Sequence, residues 1–161
     1  MGFLSESRAQ VVPRMLLVVL RVYIGVLFLR AGWPKVKAGS GWPDRMVSFL
    51  ERMLPNSYEF YKGFLENVVI PNTALFGTLV AWGELLVGVA LLLGLLTRLA
   101  ALMGIVMTGN YLLATGASWL SPTNNNALFI FILLVVLLGA AGRALGADYF
   151  LAKKWPRLPL W

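Results

Sequence analysis

Four apolar stretches dominate the chain, over residues 11–32, 72–96, 99–118 and 125–142. Each approaches the roughly 20 residues that an α-helix needs to cross the hydrocarbon of a bilayer. No charged residue stands between Leu99 and Gly142. That run is too long for one crossing, and Ser121-Pro122-Thr123-Asn124-Asn125-Asn126 breaks it with a turn signal. Leu96-Thr97-Arg98 joins the second and third stretches so closely that they form an antiparallel helical hairpin. The pattern changes over residues 34–70. There Met46, Phe49, Leu50, Met53 and Leu54 recur on one face of a short helix, and Pro55-Asn56-Ser57 ends it. A second amphipathic segment places Tyr61, Phe64, Leu65 and Val68 on one side. The predicted fold class is all-α: an integral membrane four-helix bundle, one membrane domain over residues 1–161. An amphipathic connection lies on the outer face between helices one and two, or forms a lid over a cavity between the spans.

Composition agrees with this pattern. Hydrophobic residues make up 59% of the chain and charged residues 13%, against roughly 25% charged in a soluble domain. Polar surface is too scarce to coat a soluble particle, so lipid covers much of it. Cysteine and histidine are both absent. That removes thiol redox chemistry, cysteine-held clusters, the usual haem and zinc ligands and the usual general base. No cofactor held covalently or through a metal is expected. The net charge of +7 comes from residues scattered about the ends of the apolar segments, which suits lipid headgroups rather than nucleic acid.

Four crossings put both termini on one side, with Arg8, Arg14, Arg98, Arg143, Lys153, Lys154 and Arg157. Lys35, Lys37, Arg45, Arg52 and Lys62 fall on the other. This bias predicts cytoplasmic termini. Trp33 and Trp119 then mark the outer interface, Trp155 and Trp161 the inner one. Arg21 interrupts the first apolar run and no small-residue cleavage site follows, so that run reads as a permanent helix rather than a signal peptide. Glu6 stands where a myristoylation motif needs Ser or Thr.

Arg21, Arg30 and Glu84 are charged residues within the spans, where an unpaired charge costs roughly 2.5–3.5 kcal/mol on insertion scales. Counted from the span ends, Arg21 and Glu84 lie at nearly one depth, with Thr108 and Asn110 on the third span level with them. The expectation is a midplane polar layer of Arg21, Glu84 and Asn110. It is either a structural ion pair that fixes helix register or the floor of a pocket for a small polar headgroup such as a quinone. Tyr23 and Trp82 would be its aromatic walls. Arg30, Lys35 and Lys37 read as an outer basic mouth, from headgroup anchoring or an anion vestibule. From Leu128 to Leu138 the fourth span offers no polar side chain, which reads as a wall facing lipid or a partner. Gly142 and Gly146 have the GxxxG spacing of a helix-dimer motif.

Three passages carry a resemblance. Leu20-Arg21-Val22-Tyr23-Ile24-Gly25-Val26-Leu27-Phe28-Leu29, followed by Ala31-Gly32 and Lys35, resembles the first helix of the DoxX/DoxD-like membrane proteins. Gly83-Glu84-Leu85-Leu86-Val87-Gly88, continuing to Thr97-Arg98, resembles their second helix and turn. Gly139-Ala140-Ala141-Gly142-Arg143 with Asp148 is similar to their closing stretch. Arg21, Glu84 and Arg143 match family positions. The resemblance implies a four-helix bundle of a prokaryotic plasma membrane, related to a subunit of an archaeal thiosulfate:quinone oxidoreductase.

The leading expectation is a non-catalytic accessory subunit of a larger respiratory or photosynthetic electron-transfer complex. Its partners would be the bilayer and other integral membrane subunits, with lipid, quinone or pigment at its surface. The alternatives are a quinone-interacting subunit, with Arg21 and Glu84 holding the headgroup, and a small transporter.

Overall fold

The computed structural model describes residues 3–121 and 124–155, with side chains from Arg14 onward. Among the described residues seven α-helices follow one another: α1 Phe3–Ala38, α2 Gly41–Met53, α3 Glu59–Phe64, α4 Thr73–Leu93, α5 Thr97–Thr115, α6 Asn126–Leu138 and α7 Asp148–Lys154. A π-helical turn Leu65–Val69 and a 3-10 turn Ile70–Asn72 lead from α3 into α4. Among the described residues there is no strand. The protein is an all-α, multi-pass membrane protein. Among the described residues three helical segments are long and apolar enough to cross a bilayer: Arg14–Ala38, Glu59–Leu93 and Thr97–Thr115. The fourth expected span is shorter than 125–142. Helix α6 has 13 residues, about 20 Å at 1.5 Å per residue, and gives way to a 3-10 turn Ala141–Arg143.

Helix α1 extends well past the expected 11–32, to Ala38. Pro34 lies inside it, and the helix continues for a further turn. Glycines bring α1 and α4 together. A Cβ on Gly25 would stand 3.1 Å from the Leu91 Cβ, one on Gly32 2.5 Å from the Leu85 nitrogen, and one on Gly88 2.6 Å from the Leu29 nitrogen. These contacts fix an antiparallel register in which Gly32 faces Glu84 and Arg21 faces Gly94. The buried core threads through this pair and on to α5 and α6 through Ile24, Phe28, Val87, Leu91, Ala101, Leu133 and Val136. The apolar side chains of the outward faces, Leu79, Leu86, Phe131 and Leu138 among them, are exposed, as a lipid-facing surface requires.

The 139–148 segment closes the end of the bundle that carries the α4–α5 turn. Arg21, 2% exposed, donates to the carbonyls of Ala141 at 2.8 Å, Ala144 at 3.3 Å and Leu145 at 3.0 Å. The buried Asp148 accepts from the backbone N–H groups of Leu96 at 2.7 Å and Thr97 at 2.9 Å. It thereby satisfies two donors that the start of α5 leaves open. Gly94, at φ +62°, completes the turn with its carbonyl bound to the Asp148 N–H at 2.8 Å. Gly142 and Gly146 belong to this closure: a Cβ on Gly142 would strike Asp148 and Thr97, and one on Gly146 would crowd Arg21 and Gly94. Their GxxxG spacing therefore serves packing within the chain rather than a dimer face.

At the opposite end α2 and α3 form a roof. Met46 and Leu50 of α2 are buried with Leu65, Val69 and Ala114, as the i, i+4 spacing predicts. The roof is fastened at both ends. The Trp42 indole donates to the Gly77 carbonyl at 3.0 Å, with Pro43 packed on Gly77. Farther along, the Ser57 hydroxyl donates to Ala114 O at 2.5 Å, the Tyr58 N–H to Leu113 O at 3.2 Å and the Tyr58 hydroxyl to Ala117 O at 3.2 Å.

Candidate functional site

Beneath this roof lies a cavity of about 440 Å³, within the range of small-molecule sites, roughly 300–1,000 Å³. Leu27, Phe28 and Ala31 of α1, Met46, Phe49 and Leu50 of α2, Val80 of α4 and Phe129 of α6 supply apolar walls. Thr108, Ala114 and Thr115 of α5 and Asn126 of α6 complete them. Lys35, Trp42, Glu84 and Tyr111 form its polar wall.

The polar group has one centre. Glu84 is 2% exposed, and both of its carboxylate oxygens accept from Lys35 Nζ at 2.6 Å. The Tyr111 hydroxyl donates to Glu84 Oε1 at 2.7 Å. The ammonium lies 4.8 Å from the Trp42 ring centroid and 5.7 Å from that of Tyr111, within reach of cation–π attraction. An ammonium has three N–H donors, and the carboxylate uses two of them. The pair sums to zero charge, so the chamber is apolar in its walls and neutral at its polar centre.

Of the expected midplane layer, Glu84 alone is in the cavity. Arg21 and Glu84 do not pair. Arg21 is level with Gly94 and Glu84 with Gly32, eleven residues farther along α1, or about 16 Å. The two lie apart because α1 does not end with its apolar run: it continues to Ala38 and carries Lys35 up to Glu84. Asn110 is exposed on α5; it donates to Val106 O at 2.6 Å and accepts from the Tyr61 hydroxyl of α3. Thr108, two residues earlier, faces the cavity instead, since two residues turn a helix by about 200°.

Tyr23 and Trp82 are 53% and 50% exposed, and neither lines this cavity. The outer basic mouth also separates: Arg30 and Lys37 are exposed, and Lys35 turns inward. The fourth span is not a plain wall, because Phe129 and Asn126 line the cavity and Ile130, Leu133 and Val136 are buried. Trp33 and Trp119 are 58% and 54% exposed. Trp161 and Arg157 lie outside the described residues.

Tyr111 and Trp42 were not singled out by the sequence pattern. A signal for Lys35 does exist. Arg21, Phe28 and Lys35 are seven residues apart and so share one helix face, which separates Lys35 from Arg30 and Lys37. Thr108, Tyr111 and Thr115 are likewise at i, i+3 and i+7.

No solved structure matches the chain. Residues 16–159 match the family described as TQO small subunit DoxD, where TQO denotes thiosulfate:quinone oxidoreductase. That stretch takes in Arg21, the whole Lys35–Glu84–Tyr111 cavity and the Asp148 closure, and on this match the chain belongs to the DoxD family.

Proposed function

We propose that this protein is a quinone-binding membrane subunit of an electron-transfer complex of the thiosulfate:quinone oxidoreductase kind, with its termini in the cytoplasm of a prokaryotic cell. The observation that carries the reading is the cavity, in which apolar walls surround one hydrogen-bonding centre of Lys35, Glu84 and Tyr111. A quinone has matching chemistry: an apolar ring and tail, with carbonyl oxygens that accept from an ammonium or a phenol. A sulfur oxyanion fits poorly, because the Lys35 charge is already matched by Glu84 and an added anion would be buried without a counter-charge. The donor's chemistry therefore belongs to a partner subunit, and the accessory role is this ligand-holding one. Between Glu84 and the Arg21–Asp148 closure the described bundle is filled by the apolar core of Ile24, Phe28, Leu91, Ala101 and Leu133, which disfavours the transporter.

Photoaffinity labelling with an azido-quinone in lipid nanodiscs tests the reading. Label should enter peptides of α1, α2 and α5 that line the cavity, and unlabelled quinone should compete for it. Label spread over lipid-facing peptides without competition would reject the proposal.

A further inference from the structure

The roof and the cavity walls together fix how a ligand arrives. From the aqueous side, α2 blocks the way. It is not a free flap: Trp42 and Pro43 hold its start to Gly77 of α4, and Ser57 and Tyr58 hold the far end to the last turn of α5. At that second fastening a Cβ on Gly116 would overlap the Asn56 carbonyl, so the two backbones lie in direct contact. From the α4–α5 turn side, the core residues Ile24, Phe28, Leu91, Ala101 and Leu133, each at most 5% exposed, fill the bundle.

The side remains. Among the cavity-lining residues, Ala31 of α1 and Phe49 of α2 are exposed, and Phe129 of α6 is half-buried. The three stand on three different helices that wall the cavity. Glycine draws α1 and α4 into backbone contact, but at Ala31 the outer side of α1 has only a methyl group.

We infer that the cavity is loaded sideways from the bilayer, through a portal at Ala31, Phe49 and Phe129 beneath a fixed roof. Its ligand is thus a tailed, lipid-dissolved molecule whose head reaches Lys35 and Glu84 while its tail stays in the membrane. This rests on the cavity's being the ligand site, but it concerns the path, whatever the head group.

The chain has no cysteine, so single-cysteine variants report cleanly. Thr108→Cys puts a thiol on the cavity wall, and Ala114→Cys is a second reporter should the first fail to fold. In nanodiscs a lipid-dissolved N-alkylmaleimide should label either thiol, and a sulfonated, water-confined maleimide should not. Adding Ala31→Trp should slow the lipid-borne reagent about tenfold by filling the portal. Tyr58→Phe, which removes the roof's hydrogen bond to the Ala117 carbonyl outside the cavity, should leave that rate unchanged. Labelling by the sulfonated reagent as fast as at an exposed control, Ser40→Cys, would overturn the portal, as would indifference to Ala31→Trp. Protection of the thiol by a tailed quinone is read separately. Unprotected labelling with the portal pattern intact would reject the quinone and leave the portal standing.

Discussion

Arg21, Phe28 and Lys35 share one buried face of α1, yet the two cations have different work. Arg21 is spent on the carbonyls of Ala141, Ala144 and Leu145, with the Asp148 carboxylate as the nearby opposite charge, so its charge supports the fold. Lys35 is held to Glu84 at 2.6 Å with its side chain 20% exposed, at the edge of a cavity, and is the cation available to a ligand. Removing one member of such a pair leaves a buried charge, at a cost near the low end of about 3–5 kcal/mol given the exposure that remains. Replacing both by apolar side chains of similar volume is close to neutral. Thermal unfolding in detergent should therefore show Lys35→Met and Glu84→Leu each well below the parent, and the double variant Lys35→Met/Glu84→Leu restored nearly to it. A double variant as unstable as the worse single one would mean that the pair is needed for the fold. Tyr111→Phe removes one hydrogen bond to a charged group, worth about 1.5–3 kcal/mol, and should lower stability less than Glu84→Leu does.

Helix pairing decides where these residues meet. Gly32 sits on the Glu84 backbone, and any side chain there pushes α1 off α4 at the level of the ion pair. Gly32→Leu should uncouple Lys35 from Glu84 and abolish ligand binding, with a large loss of stability; retained binding would contradict the register. The closure at the other end is separate. Asp148→Ala removes the acceptor for two N–H groups at the start of α5, a loss of about 0.5–2 kcal/mol for a cap, and also strands Arg21. Unfolding should shift down while quinone affinity per folded molecule stays unchanged, because about 16 Å of helix lies between the two sites. Apolar periodicity gave most of these elements from sequence: the α4–α5 hairpin, the break before α6 and the buried stripe of α2. Depth could not be read in the same way. The apolar run of α1 stops near Ala31-Gly32, but its hydrogen-bonded helix continues through Pro34, and only the glycine contacts with α4 reveal the offset. Asn110 and Tyr111 differ by one position, and depth alone cannot tell which one faces inward.

Over its described residues the molecule is a membrane bundle with an end closed by the 139–148 segment, a roofed end and a neutral-centred chamber. Glu84 was legible as a buried charge in need of a partner. The partner was not, because Lys35 looks like a headgroup anchor until the helix that carries it is extended. The sequence has no cysteine and no histidine, so under the proposed function the redox cofactor is expected in another subunit. Particles extracted in gentle detergent should contain this chain together with a subunit that bears a redox cofactor. A bare homo-oligomer as the native particle would separate the protein from any electron-transfer complex.

The Lys35–Glu84 cavity is the proposed quinone site. The most direct test is the affinity of a tailed quinone for the Lys35→Met/Glu84→Leu variant in nanodiscs, after its stability has been shown to match the parent. The expected result is an affinity at least roughly tenfold weaker, about 1.4 kcal/mol, the scale of one lost charge-assisted hydrogen bond. Unchanged affinity in a stable, folded double variant would contradict it.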